Sequence, residues 1–201
     1  KPYTPDDFGE GLFSCCASST GVTTIVIGEQ VPEIYPYMFN GCGMETIEIP
    51  AHISKIGNGA FSKCTNLTSI TIPATVKYAG SDAFYDTYSL KSIIIEDSDE
   101  PLQLGNSYGG LVNTIQRGAF YFSPLTNIYL GRDIDYIDYD DDSFSPSTWD
   151  EGVFASKHYD DGNLETTLTI GNKVTSLLKW MFCGVRLREV TIPANVKNIA
   201  D

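Results

Sequence analysis

Apolar residues return along this chain in three columns. Seven of the ten Phe share one phase, Phe13, Phe39, Phe61, Phe84, Phe120, Phe154 and Phe182, and the regular spacings are 22 residues (Phe39 to Phe61) and 23 (Phe61 to Phe84). Eight or nine residues after the Phe of a regular unit comes an apolar pair at i and i+2, the alternation of a short strand with one buried face. The pairs are Ile25/Ile27, Ile47/Ile49, Ile70/Ile72, Ile93/Ile95, Ile128/Leu130, Leu168/Ile170 and Val190/Ile192. The next residue is Pro at 50, 73 and 193 and Gly at 28, 131 and 171 in all but the Ile95 unit, and either ends a strand, Pro because it cannot donate to the ladder and Gly because it packs no side chain. A third column follows as apolar pairs at i and i+3, namely Val31/Ile34, Ile53/Ile56, Val76/Ala79, Val112/Ile115, Ile134/Ile137, Val174/Leu177 and Val196/Ile199.

Strand, second extended segment and Phe turn give each unit three inward anchors. So small a unit cannot enclose a core by itself and must stack on its neighbours. The pattern therefore predicts a single repeat domain over residues 1–201 with about seven turns, short parallel strands and little helix. At about 4.8 Å per strand the sheet is roughly 30 Å wide. Phe8-Gly9 matches Ile56-Gly57 in mid-unit, Ile199-Ala200-Asp201 stops at the same point, and neither end shows an amphipathic cap. The expectation is a piece of a longer array or parent protein, or an end covered by something else.

The stretches Ile56-Gly-Asn-Gly-Ala-Phe-Ser-Lys-Cys64 and Leu67-Thr-Ser-Ile-Thr-Ile-Pro-Ala-Thr-Val76 resemble the BspA-like, or Treponema-type, leucine-rich repeat. The resemblance runs over nearly the whole chain. It implies a leucine-rich-repeat solenoid, curved and right-handed, with a parallel sheet on its concave side. It also implies a bacterial secreted or cell-surface protein with roles in adhesion and in binding host or matrix proteins. The expected function is a non-enzymatic module without a cofactor that engages a protein or glycan ligand through the concave sheet and the flanking acidic loops. A structural spacer that presents another domain is the alternative, and an enzyme would need a nucleophile and base that the sequence does not display. The chain departs from the family pattern at Gly for Pro, at Tyr78-Ala79 and at three insertions.

Those insertions fall near residues 96–111, 138–153 and 155–163, and the stacked turn has no room for them, so they loop outward. They also hold most of the charge. The chain has 26 Asp+Glu and 13 Lys+Arg, a net −13. Insertion 96–111 has four acids and no Lys or Arg, 138–153 has six and none, and 155–163 has Asp160 and Asp161 against Lys157. The repeating body is nearly neutral. Nucleic acid is excluded as a partner and an anionic membrane surface is disfavoured, because both are bound through Lys and Arg. No apolar run is long enough to span a bilayer.

Candidate chemistry is thin. Cys16, Cys42 and Cys64 each lie three residues after their Phe, while Cys15 and Cys183 lie off that column. An inward column of buried thiols is the main reading, with a disulfide between neighbouring turns as the alternative. No C-x-x-C pair supports zinc. His52 falls at a loop position and His158 in an acidic insertion, so neither makes a Cys-His pair. Asp138, Asp140, Asp141 and Asp142 offer oxygen ligands for calcium, but without the central Gly and closing Glu of an EF-hand they read first as a solvated loop.

If the paired aliphatics point inward, the residues between and just before them point out. Most of these are Thr or Ser, including Thr71; Glu48, Ile94 and Tyr129 stand out, the last two in adjacent turns beside the insertions. Ile94 and Tyr129 are candidates to anchor a partner, unless the first insertion folds back over them. Trp149, with Tyr139, offers a ring on which a sugar could stack, unless it packs on its own solenoid; Trp180 takes a repeat position where Gly is commoner. The ligand-binding candidates are thus Ile94, Tyr129, Glu48, Thr71 and Trp149, with no catalytic and no metal residue.

Overall fold

The computed structural model describes residues 24–105, 119–137, 153–154, 164–178, 181–182 and 184–200. These form eleven short strands with every pairing parallel and no helix. Five strands make the first sheet, in the order β10 (Leu187–Glu189), β8 (Thr166–Ile170), β6 (Asn127–Leu130), β4 (Ser92–Ile95) and β2 (Ser69–Ile72). The second sheet is β1 (Lys55–Ile56), β3 (Tyr78–Ala79), β5 (Leu102–Gly105) and β7 (Ile134–Ile137); β9 (Ser176–Leu177) pairs β11 (Asn198–Ile199) separately. The chain crosses from one sheet to the other and back in each turn, which is why sequence neighbours never pair.

The strand column reads as expected, with alternate residues turned in. Ile70, Ile72, Ile93, Ile95, Ile128 and Leu130 are all buried, and register places Ile70 beside Ile93 and Ile93 beside Ile128. The Phe column closes the third side. From Phe39 through Phe61, Phe84, Phe120 and Phe154 to Phe182, successive ring centroids lie 5.0–5.4 Å apart with interplanar angles of 5–20°. Six rings thus run down the core at the turn spacing, within the separation at which offset aromatic pairs attract beyond their area burial.

The backbone at the Phe corner takes a conformation that residue types do not announce. Positions two before Phe have positive φ at Tyr37, Gly59 and Asp82, and positions two after it at Gly41, Lys63, Asp86, Phe122 and Gly184. The alternation aims every second N–H along the stack: Tyr37, Phe39 and Gly41 donate to the carbonyls of Asn58, Ala60 and Ser62 at 2.8–2.9 Å. A third ladder therefore runs through turns that are not strands, and it satisfies backbone groups that burial would otherwise leave costly.

Side chains supply further inter-turn bonds. Cys64 donates its thiol hydrogen to the Phe39 carbonyl at 3.0 Å, and two steps along the same column Ser123 donates to the Phe84 carbonyl at 2.9 Å. Cys42 and Cys64 are buried free thiols, in keeping with an inward column; Cys16, like Phe13, lies outside the described residues. The column is more polar than its cysteines imply, since Thr87 and Ser123 continue it, with hydroxyls 2.6 Å apart.

One column assignment changes. Val112 and Ile115 have the expected i, i+3 spacing, but Leu102–Gly105 takes that place, with Gln103 beside Tyr78, Leu104 beside Ala79 and Leu102 beside Ile134. Leu102 and Leu104 are buried. β5 has four residues where β1 and β3 have two, so its inward pair follows strand alternation, at i and i+2. Most of the extra length in this turn therefore falls after Gly105, outside the described residues, along with Val112 and Ile115.

Candidate functional site

The outer face of the first sheet carries two rows of side chains, one strand apart at each step. Register aligns Ser69, Ser92, Asn127 and Thr167 in one row and Thr71, Ile94, Tyr129 and Thr169 in the other. Hydroxyls and an amide surround one aliphatic group: Ile94 remains 42% exposed although both of its strand neighbours are in place. Thr71 is half-buried beside it, and Glu48 is exposed on the turn before β2. Four of the five candidate residues thus lie on one surface. Trp149 lies outside the described residues, as do Tyr139, Trp180, His158 and the Asp138–Asp142 run.

Tyr129 is held in place. Its hydroxyl donates to Asp97 Oδ1 at 2.9 Å, and that hydrogen bond to a carboxylate, with a smaller contribution from burial, holds its pKa above the ordinary tyrosine value. Asp97 reaches this position because two turns have Gly where others have Pro. A Cβ on Gly131 would lie 2.7 Å from Asp97 Oδ1 and 2.6 Å from its amide nitrogen, and a Cβ on Gly171 would lie 2.7 Å from the same carboxylate oxygen and 2.9 Å from the Tyr129 hydroxyl. The Gly-for-Pro departures make room for a side chain from the neighbouring turn.

The segment after β4 thus folds back along the rim of the sheet. Glu96 accepts from the Ala74 amide at 2.9 Å, and Asp99 pairs with Lys173 at 2.7 Å. Three of the four acids of the first insertion are engaged within the protein, so its charge is largely a set of clasps between turns. Asp97 reaches Tyr129, and Ile94 stays 42% exposed.

Arg132 is the largest fully buried side chain among the described residues; its Nη1 and Nη2 donate to the Ala74 and Pro73 carbonyls at 2.9 and 2.8 Å. Desolvation lowers its pKa and the nearby Glu96 opposes that, but an arginine stays charged under any ordinary condition. The guanidinium thus ties the turn after β6 to the turn after β2, the strands on either side of β4. Asp133 clasps the next gap, accepting from the Thr175 and Ser176 amides at 2.7 and 2.9 Å where the second sheet is interrupted between β7 and β9. Sequence reasoning missed both: a single Arg or Asp after a strand carries no periodic signal, although the neighbouring Gly131 marks the spot.

His52 is exposed at its loop position and Cys42 and Cys64 are buried. Among the described residues no three His, Cys, Asp or Glu side chains come together as metal ligands would, and no helix is long and apolar enough to cross a membrane.

Parallel turns of this length, three inward columns and an open sheet face define a leucine-rich-repeat solenoid. The BspA type leucine-rich repeat region matches the chain in six copies, over residues 2–106 and 153–201, and the protein belongs to that family. The matched stretches leave out residues 107–152, where much of the extra length falls. A leucine-rich repeat protein from Bacteroides ovatus, solved by crystallography, has a similar fold with a TM-score of 0.51 at 22% identity, over 87% of this chain and 38% of that one. The present chain thus spans well under half the length of that protein. No curated protein matches it in sequence.

Proposed function

We propose that this protein is a non-enzymatic binding module, secreted or displayed at a bacterial surface, that engages a host or matrix protein or a glycan through the outer face of its first sheet. The supporting observation is Ile94. It is an aliphatic side chain 42% exposed in the middle of a sheet face whose neighbouring positions on β2, β6 and β8 are hydroxyls, an amide and a tethered tyrosine. Apolar groups set in a rigid polar surround are where interface energy concentrates. The face is preorganised, since it lies on paired strands and Asp97 fixes Tyr129, so little ordering entropy is lost on binding.

The test is to probe arrays of mucosal proteins, matrix proteins and glycans with the chain and with an Ile94→Ser/Tyr129→Ala variant that keeps its thermal transition. A ligand whose signal falls at least tenfold in the variant, about 1.4 kcal/mol, supports the assignment. Equal signals from the two proteins would move the site elsewhere.

A further inference from the structure

We infer that the occupant of this face is an extended polypeptide segment with one apolar side chain flanked on both sides by Lys or Arg, an inference that rests on the outer sheet face being the binding surface. The exposed apolar group is a branched aliphatic, Ile94, and the neighbouring aromatic, Tyr129, is half-buried with its hydroxyl bound to Asp97. A sugar ring stacks on an open aromatic face; an aliphatic side chain instead packs on Ile94 and needs no ring.

Charge gives the flanks. Glu48 and Glu189 are both exposed, on opposite sides of Ile94 across the sheet, and the ion pairs among the described residues are Lys55–Glu33, Lys173–Asp99 and Arg188–Glu165, which include neither. Of the cations on its later turns, Lys173 and Arg188 are already paired and Arg186 stands just before β10, as Lys91 does before β4. With a net charge of −13 behind it, the face offers two unspent carboxylates to a cationic partner.

The repeat fixes the spacing. Glu48 lies two turns before Ile94 and Glu189, beside Thr167 in register, three turns after it. At about 4.8 Å per turn these are ~10 and ~14 Å. A chain laid across the strands advances ~3.3–3.6 Å per residue, so basic residues about three before and four after the anchor reach the two carboxylates. The Ser69, Ser92, Asn127 and Thr167 row lies within reach of the backbone of such a segment.

Fluorescence anisotropy tests this with the full chain and a labelled peptide, Gly-Lys-Ser-Gly-Leu-Ser-Gly-Ser-Lys-Gly, together with a version in which both Lys are Glu. The Lys peptide binds and the Glu peptide does not. A Glu48→Gln/Glu189→Gln variant weakens binding about threefold to tenfold, as does added salt, and Ile94→Ser weakens it by roughly tenfold. No binding of the Lys peptide at millimolar concentration, or equal binding of both peptides, overturns the inference. So does unchanged affinity in the double Gln variant. A neutral glycan that binds without salt dependence and is lost in Ile94→Ser also overturns it, while leaving the outer sheet face as the binding surface.

Discussion

Cys64 shows how one side chain serves the stack. Its sulfur is buried against the preceding turn, where it donates to the Phe39 carbonyl, and burial pushes its pKa from 9.0 up to about 12. The fold therefore favours the neutral thiol. Because the folded pKa lies above the unfolded one, this contribution is whole below about pH 9 and is lost as pH rises toward 12. Urea denaturation at pH 8 and pH 10.5 checks it: the loss of stability between the two is smaller in Cys64→Ser than in the parent. Ser also keeps the bond, since Ser123 makes the same one to Phe84 at 2.9 Å. The thiol of the native protein resists iodoacetamide, because the thiolate is the reactive form and is suppressed here. That Cys42 and Cys64 fall in a buried column was legible from their offset to Phe. That Thr87 and Ser123 continue it was not, because a hydroxyl gives no apolar signal.

Among the elements, the strands and the Phe stack carry the core and the rim clasps tune the open face. Phe84 is fully buried with ring neighbours at 5.4 and 5.0 Å, whereas Phe182 is half-buried in the last turn. Phe84→Ala is expected to cost about 3–5 kcal/mol, and Phe182→Ala clearly less, in paired chemical denaturation. The two rim glycines separate in the same way. A Cβ on Gly131 meets backbone, the Ile95 carbonyl oxygen at 2.4 Å and the Asp97 nitrogen at 2.6 Å, while on Gly171 its closest contacts are the ends of the Asp97 and Tyr129 side chains. Gly131→Ala should therefore cost about 2 kcal/mol or more, while Gly171→Ala costs less and releases Tyr129, seen as a fall in that tyrosine's pKa by NMR titration. The strand and Phe columns were legible because each repeats an apolar type at a fixed offset. The left-handed positions at Tyr37, Lys63, Asp82 and Phe122 were not, since backbone demand there is met without Gly. The third column of the fourth turn misled because β5 is longer than β1 and β3 before it and changes the spacing of its inward pair.

Over the whole molecule, burial follows position in the stack. Column residues of the middle turns are sealed, whereas Ile192 and Ile199 in the last described turn are 47% and 59% exposed. The charge also looks different along residues 96–101: Glu96, Asp97 and Asp99 are held by Ala74, Tyr129 and Lys173, so the acidity of that segment is largely structural. What the sequence showed of the site was a row, Thr71, Ile94 and Tyr129 in successive turns, because strand alternation alone decides which residues face out. It could not show which of them the insertion would cover, because that depends on a single carboxylate reaching across two glycines. The central claim is that this face meets the ligand. The most direct measurement is an NMR titration of isoleucine-methyl-labelled protein with a ligand captured on the arrays. The account predicts that the Ile94 methyl shifts most, with Ile199 unmoved. A titration that saturates with Ile94 unchanged would contradict it.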